Sequence, residues 1–176
     1  LVGIGAERGR QRFHAVHAMG ARAVAEAARL AGARTFVHMS GLGYTADSPS
    51  LMARSRATGE AEVLAAFPSA VIIRPSIIFG QGDTYFNRMA SMARFLPVLP
   101  VIGAASRVQP VYVGDVADAF LAAAQGKVRG GVAYELGGPD IETYRQLAQR
   151  IATGLRETPK RVAIDCSSSR SPGWKR

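Results

Sequence analysis

The chain has 176 residues, 48% of them hydrophobic, which is enough to bury one good core, and length alone suggests a single globular domain. Nineteen arginines and three lysines against 13 acids leave a net charge of +9, which favours anionic partners such as nucleotide phosphates or an anionic lipid surface. Apart from Arg8, Arg10 and Arg12 the basic residues are scattered, and no aromatic-plus-basic motif appears, so nucleic acid is not expected. The lone Cys166 excludes an internal disulfide framework and a cysteine-based zinc site, and His14, His17 and His38 share no ligand spacing, so no metal is expected. The longest apolar stretch, Leu96 to Ala105, contains Pro97 and Pro100 and is too short to cross a bilayer.

In chain order, Leu1 to Gly5 reads as the end of a buried strand. From Gln11 to Leu30 apolar residues recur at helical spacing (Val16, Met19, Ala23, Val24, Ala27, Ala28), and Gly32 stops that helix. Thr35 to Met39 reads as a strand. Ser48 is expected to cap a helix with Pro49 at its first position, running to Ala66 and closed by Pro68. The β-branched run Ala70 to Ile73 suits a parallel strand covered on both faces. A loop over Ser76 to Asp83 precedes a helix from Tyr85 to Phe95 and a short strand over Val98 to Ile102. Gln109 to Val113 is expected to be extended, Asp115 to Gln125 helical with Asp115 near its cap, and Val132 to Leu136 a strand. Thr143-x-x-Gln146 has the pattern of a capping box opening a last helix to Gly154. From Pro159 onward periodicity disappears, and the Ser-rich end reads as a flexible tail.

Strands and helices alternate, which predicts an α/β fold with a Rossmann-like, doubly wound parallel sheet over residues 1–155 and a polar tail over 156–176. Such a domain carries a Gly-rich phosphate loop between its first strand and helix. Gly3-Ile4-Gly5 is followed by Ala6-Glu7-Arg8-Gly9 and lacks that spacing. The N-terminal strands and phosphate loop are therefore expected to be missing, the chain being the carboxyl-terminal two thirds of such a domain. In open α/β sheets ligands sit outside the carboxyl ends of the strands, which points to Phe36 to Glu60: Ser40 at a strand end, a Gly-rich loop containing Tyr44, and the helix carrying Met52 and Arg56.

Several segments occur together in order: His17-Ala-Met-Gly20 before an Ala-rich helix, Phe36-Val-His-Met-Ser40, Ile73-Arg74-Pro75-Ser76-Ile77-Ile78-Phe79-Gly80, Gln109-Pro-Val-Tyr-Val-Gly-Asp115 and Tyr134-Glu-Leu-Gly-Gly-Pro139. Taken jointly they resemble the extended short-chain dehydrogenase/reductase superfamily. Within it the stretches Ala46 to Glu60, Gln81 to Gly103 and Gln109 to Ala119 are most similar to the branch of the nucleotide-binding accessory subunit of respiratory complex I (alpha-subcomplex subunit nine) and its bacterial relatives. That resemblance implies an NAD(P)-binding fold, with NADPH as cofactor in the full-length protein and Gly3, His17, Ser40, Arg56, Arg74, Pro75, Ser76 and Phe79 along it. It also implies complex I subunits as partners, on the matrix side of the mitochondrial inner membrane or the cytoplasmic face of a bacterial one.

The same resemblance places Met52 and Arg56 where the superfamily has Tyr and Lys, four residues apart on one helical face. Methionine has no exchangeable proton, so general acid catalysis is lost there, whereas Arg56 keeps a cation and donors for a ribose or phosphate. Ser40, Met52 and Arg56 are thus degenerate catalytic positions, and Tyr44 is the nearby phenol able to substitute. The plainer readings remain open: Ser40 capping its loop, Arg56 pairing with Glu60 one turn on, Met52 as core. Two other functions stay open as well, an active reductase or epimerase on a sugar-nucleotide or hydroxysteroid-like substrate, and an interaction module that binds no nucleotide.

Overall fold

The computed structural model describes residues 3–93, 101, 103–153 and 164–165. The described residues divide into two compact units, one drawn from 3–74, 119–135 and 165, the other from 75–93, 101, 103–118, 136–153 and 164.

In the first unit a π-helical segment, His14–Gly20, runs directly into α1, Ala21–Leu30. The start of this helix lies inside the expected Gln11 boundary, and its buried face also differs from expectation. Met19 and Val24 are exposed, whereas Ala18 and Ala25 are fully buried. A π turn takes up an extra residue, which rotates every later position relative to an ideal α-helix, so of the apolar stripe read at regular spacing Ala28 packs on the core while Met19 and Val24 do not. The small side chains that do face inward let α1 lie close to α2, Leu51–Ala66, and Arg22 bridges Glu26 on its own helix and Glu62 on α2 at 2.8 Å each. The cap of α2 is Ser50, whose hydroxyl accepts from Ala53 N at 3.4 Å. Ser48 instead accepts from Ser50 N, so Pro49 lies before the helix rather than at its first position.

Strand β1, Val37–Met39, pairs in parallel with β2, Val71–Pro75, with Val37 opposite Val71 and Met39 opposite Ile73. In the four-stranded sheet the order is β1, β2, β6 (Val132–Leu136) and β8 (Ile164–Asp165). The last of these strands lies in the stretch read as tail; the rest of that stretch lies outside the described residues. Val71, Ile72 and Ile73 are all buried, as their continuous β-branched run predicts, and Ile72 joins Ala25, Val63, Ala66, Phe67 and Ala70 in the core. Each fully buried Val or Ile contributes about 1.5–3 kcal/mol. Gly3 to Gly5, expected as a strand end, forms no strand.

In the second unit β3, Ile78–Phe79, pairs in parallel with β5, Val111–Tyr112, so the expected loop over Ser76 to Asp83 contains a strand. Antiparallel β4, Arg107–Val108, pairs with β7, Glu142–Thr143. Asp83 caps α3, Tyr85–Ala93, by accepting from Phe86 N at 2.7 Å. The capping box is formed as predicted: Gln146 N donates to Thr143 Oγ1 at 3.2 Å and Thr143 N to Gln146 Oε1 at 2.7 Å, opening α5, Tyr144–Thr153. The remaining helix, α4, spans Val113–Ala124 and begins two residues before the predicted Asp115, which sits in its first turn. The expected strand over Val98 to Ile102 falls almost wholly outside the described residues.

Candidate functional site

At the carboxyl end of β1 the first unit forms an open-mouthed cavity of about 860 Å³, a size suited to a cofactor or small ligand. Gly3, His17, Ser40, Tyr44, Met52 and Arg56 all line it, so six of the residues singled out in the sequence come together. Three elements position them. Parallel pairing carries β1 straight into the site, where Ser40 N is fixed by Ile73 O at 2.8 Å. The Ser50 cap sets the phase of α2, which turns Met52 and Arg56 to one face. The π segment brings His17 against α2.

Two polar atoms in this cavity wall are left without a hydrogen-bond partner: Ser40 Oγ, on a residue only 6% exposed, and Arg56 Nε. Burying an unpaired hydroxyl or guanidinium nitrogen is unfavourable, so both are groups that a bound hydroxyl or phosphate would satisfy. The loop-capping alternative for Ser40 is thereby not realised. Nor is the Arg56–Glu60 pair: the Glu60 carboxylate is taken by Arg74, whose Nε reaches both oxygens at 3.0 and 3.1 Å and whose Nη2 reaches Oε2 at 2.5 Å. The Arg56 guanidinium packs instead on Gly3, where an added Cβ would come within 2.4 Å of Nη2. Across the loop the Tyr44 ring covers Gly41 just as closely.

The remaining sequence-predicted positions lie elsewhere. Arg74 also reaches Glu135 and does not line the cavity. Pro75 ends β2. Ser76 and Phe79 belong to the second unit, where Ser76 Oγ accepts from Gln109 N at 3.2 Å and the Phe79 ring meets Phe86 and Tyr112. Sequence reasoning assigned His38 no part in the site, yet it lines the cavity from β1. Its position two residues before Ser40 on a strand, where side chains alternate, was the available signal. Burial holds the His38 pKa below the ordinary imidazole value; Glu60 opposes the shift and Arg56 adds to it. Burial likewise lowers His17, helped by the charge of Arg56. No group of acids, histidines and cysteines suited to a metal ion occurs among the described residues.

A family model described as the RmlD substrate binding domain matches residues 4–173. The chain belongs to this family. Among its relatives, NADH dehydrogenase (ubiquinone) 1 alpha subcomplex subunit 9, mitochondrial, of Arabidopsis thaliana is 38% identical over 135 residues, 76% of this chain and 34% of that protein. The ceramide reductase of Caulobacter vibrioides is 38% identical over 152 residues, 86% of this chain and 48% of that protein. The resemblance drawn from the ordered motifs is thus borne out, and the chain spans roughly a third to a half of the length of these relatives. The fold agrees with that of a dTDP-glucose 4,6-dehydratase from Bacillus anthracis solved in complex with NAD, at a TM-score of 0.68 and 20% identity over 88% of this chain and 60% of that one. It agrees equally with a dTDP-4-dehydrorhamnose reductase from Clostridium acetobutylicum, at 0.66 and 21% over 84% and 57%. The α/β, Rossmann-like class read from alternating elements is therefore correct.

Proposed function

We propose that this chain is the site-bearing part of an NAD(P)-binding, short-chain-reductase-like protein that has kept cofactor binding and lost proton transfer, and that serves as an accessory or assembly component of respiratory complex I. The observation that carries the reading is the composition of one cavity wall: Ser40 Oγ and Arg56 Nε wait for a partner while Met52 stands on the same helical face as Arg56. Arg56 is suited to ribose hydroxyls or phosphate, and Ser40 to a polar atom beside the nicotinamide. The bound dinucleotide would supply hydride chemistry, but Met52 offers no proton to a substrate oxygen. The net charge of +9 suits the additional phosphate of NADPH. Similarity to the complex I subunit supports the partner, on the matrix side of the inner membrane or the corresponding cytoplasmic face in a bacterium. Fluorescence titration of the full-length protein with NADPH tests the reading. Arg56→Gln is expected to weaken binding about tenfold, the worth of one hydrogen bond to a charged group; unchanged affinity would overturn the role of Arg56.

A second reading, an active reductase, is favoured by one specific observation. Tyr44 lines the same cavity as Ser40, and a relative of comparable identity is named a ceramide reductase. In that case Tyr44 provides the proton, and Tyr44→Phe abolishes turnover of a ceramide-type carbonyl substrate while leaving NADPH affinity intact.

A further inference from the structure

His17 is 3% exposed and hydrogen-bonded through both ring nitrogens. Nε2 lies 3.1 Å from the Ile4 amide nitrogen, and an amide N–H can only donate, so Nε2 must be the unprotonated acceptor. The ring proton then sits on Nδ1, 2.9 Å from Ser55 Oγ. Ser55 accepts it and passes its own hydroxyl hydrogen to the Met52 carbonyl at 2.8 Å. The whole series has one direction: Ile4 N–H to Nε2, Nδ1–H to Ser55 Oγ, Ser55 O–H to Met52 O. It ties the 3–5 segment to the first turns of α2, and the adjoining Gly3 is the residue on which the Arg56 guanidinium rests.

We propose that neutral His17, in its Nδ1–H tautomer, is a proton-sensitive clasp that positions Arg56 by holding the Gly3–Gly5 segment against α2. A proton added at Nε2 turns the acceptor into a donor facing the Ile4 donor, and that hydrogen bond is lost. The other charged or titratable groups facing the ring are Arg56 from α2 and His38 from β1, neither of which stabilises an imidazolium; Phe13 stacks on it at 5.6 Å. Protonation therefore releases the segment carrying Gly3, and Arg56 loses the surface it packs on. The clasp concerns the same Arg56 to which the proposed function assigns the cofactor, but its working requires no cofactor.

Nitrogen NMR of the full-length protein, labelled at histidine, isoleucine and arginine, tests this without any ligand. His17 is expected to carry its proton on Nδ1 at pH 7.5. On acidification the Ile4 amide is expected to lose protection relative to its intrinsic exchange rate and the Arg56 Nε signal to move, both at the midpoint of His17 titration. In His17→Gln, whose amide does not titrate, the Ile4 protection and the Arg56 Nε signal are both expected to stay constant across that range. A neutral His17 protonated on Nε2, or an Ile4 amide and Arg56 signal that ignore His17 titration, would overturn the proposal, and the wild-type spectra decide it even if the variant does not fold. Failure of NADPH to bind would leave these results untouched, so the two readings fail separately.

Discussion

The Arg74 guanidinium grips the Glu60 carboxylate with three hydrogen bonds, and Glu60, only 5% exposed, is thereby a paired charge inside the first unit. Arg74→Ala leaves a buried carboxylate without its cation. Loss of about 3–5 kcal/mol of stability is expected, measured by urea denaturation. Arg74→Met with Glu60→Leu removes both charges and is expected to recover most of that loss.

Gly59 on α2 faces the backbone of His17, where an added Cβ would come within 2.1 Å of the carbonyl oxygen. Backbone cannot swing aside as a side chain does. Gly59→Ala is therefore expected to cost about 1–3 kcal/mol by forcing α2 away from the π segment, and the denaturation midpoint reads it. Gly3→Ala is the contrasting case, since the atom it meets is the mobile end of Arg56; stability should change little.

Both cavity histidines have folded-state pKa values below the ordinary value near 6.5. The folded form thus disfavours the proton relative to the unfolded chain. Stability is full above pH 6.5 and falls as the pH drops through the window between the unfolded value and the lowered folded ones, because the unfolded state takes up protons first. Denaturation midpoints at pH 7.5 and 5.5 are expected to differ in that sense, with a smaller difference in His17→Gln. Higher stability at pH 5.5 would contradict the burial assigned to these rings.

The parts of the fold that the sequence made legible are those fixed by local pattern. The Val132–Leu136 strand, the Thr143–Gln146 capping box and the all-buried β2 follow from alternation, spacing and β-branching, and no distant contact overrides them. The start of α2 was misread because Ser48-Pro49 and Ser50 are both reasonable openings, and only the Ser50 Oγ bond to Ala53 N distinguishes them. In the first helix Ala28 packs on the core as read, but the exposure of Met19 and Val24 was missed because a π turn shifts phase without a residue that announces it. In the candidate site, the strand end pointed to Ser40 and the family resemblance to Met52 and Arg56, and all three line the cavity. The engagement of Arg74 by Glu60, and the placing of Ser76 and Phe79 in the second unit, depend on tertiary pairing across 14 residues or more, which no short motif encodes.

The most direct test of the account is NADPH oxidation by the full-length protein with carbonyl substrates, beside the double variant Met52→Tyr with Arg56→Lys. A positioned acid contributes about 10²–10⁴-fold in rate. The account predicts NADPH binding without turnover in the unmodified protein, and reductase activity gained by the double variant within that range. Ordinary turnover by the unmodified protein, abolished by Tyr44→Phe, would contradict it and identify Tyr44 as the proton donor.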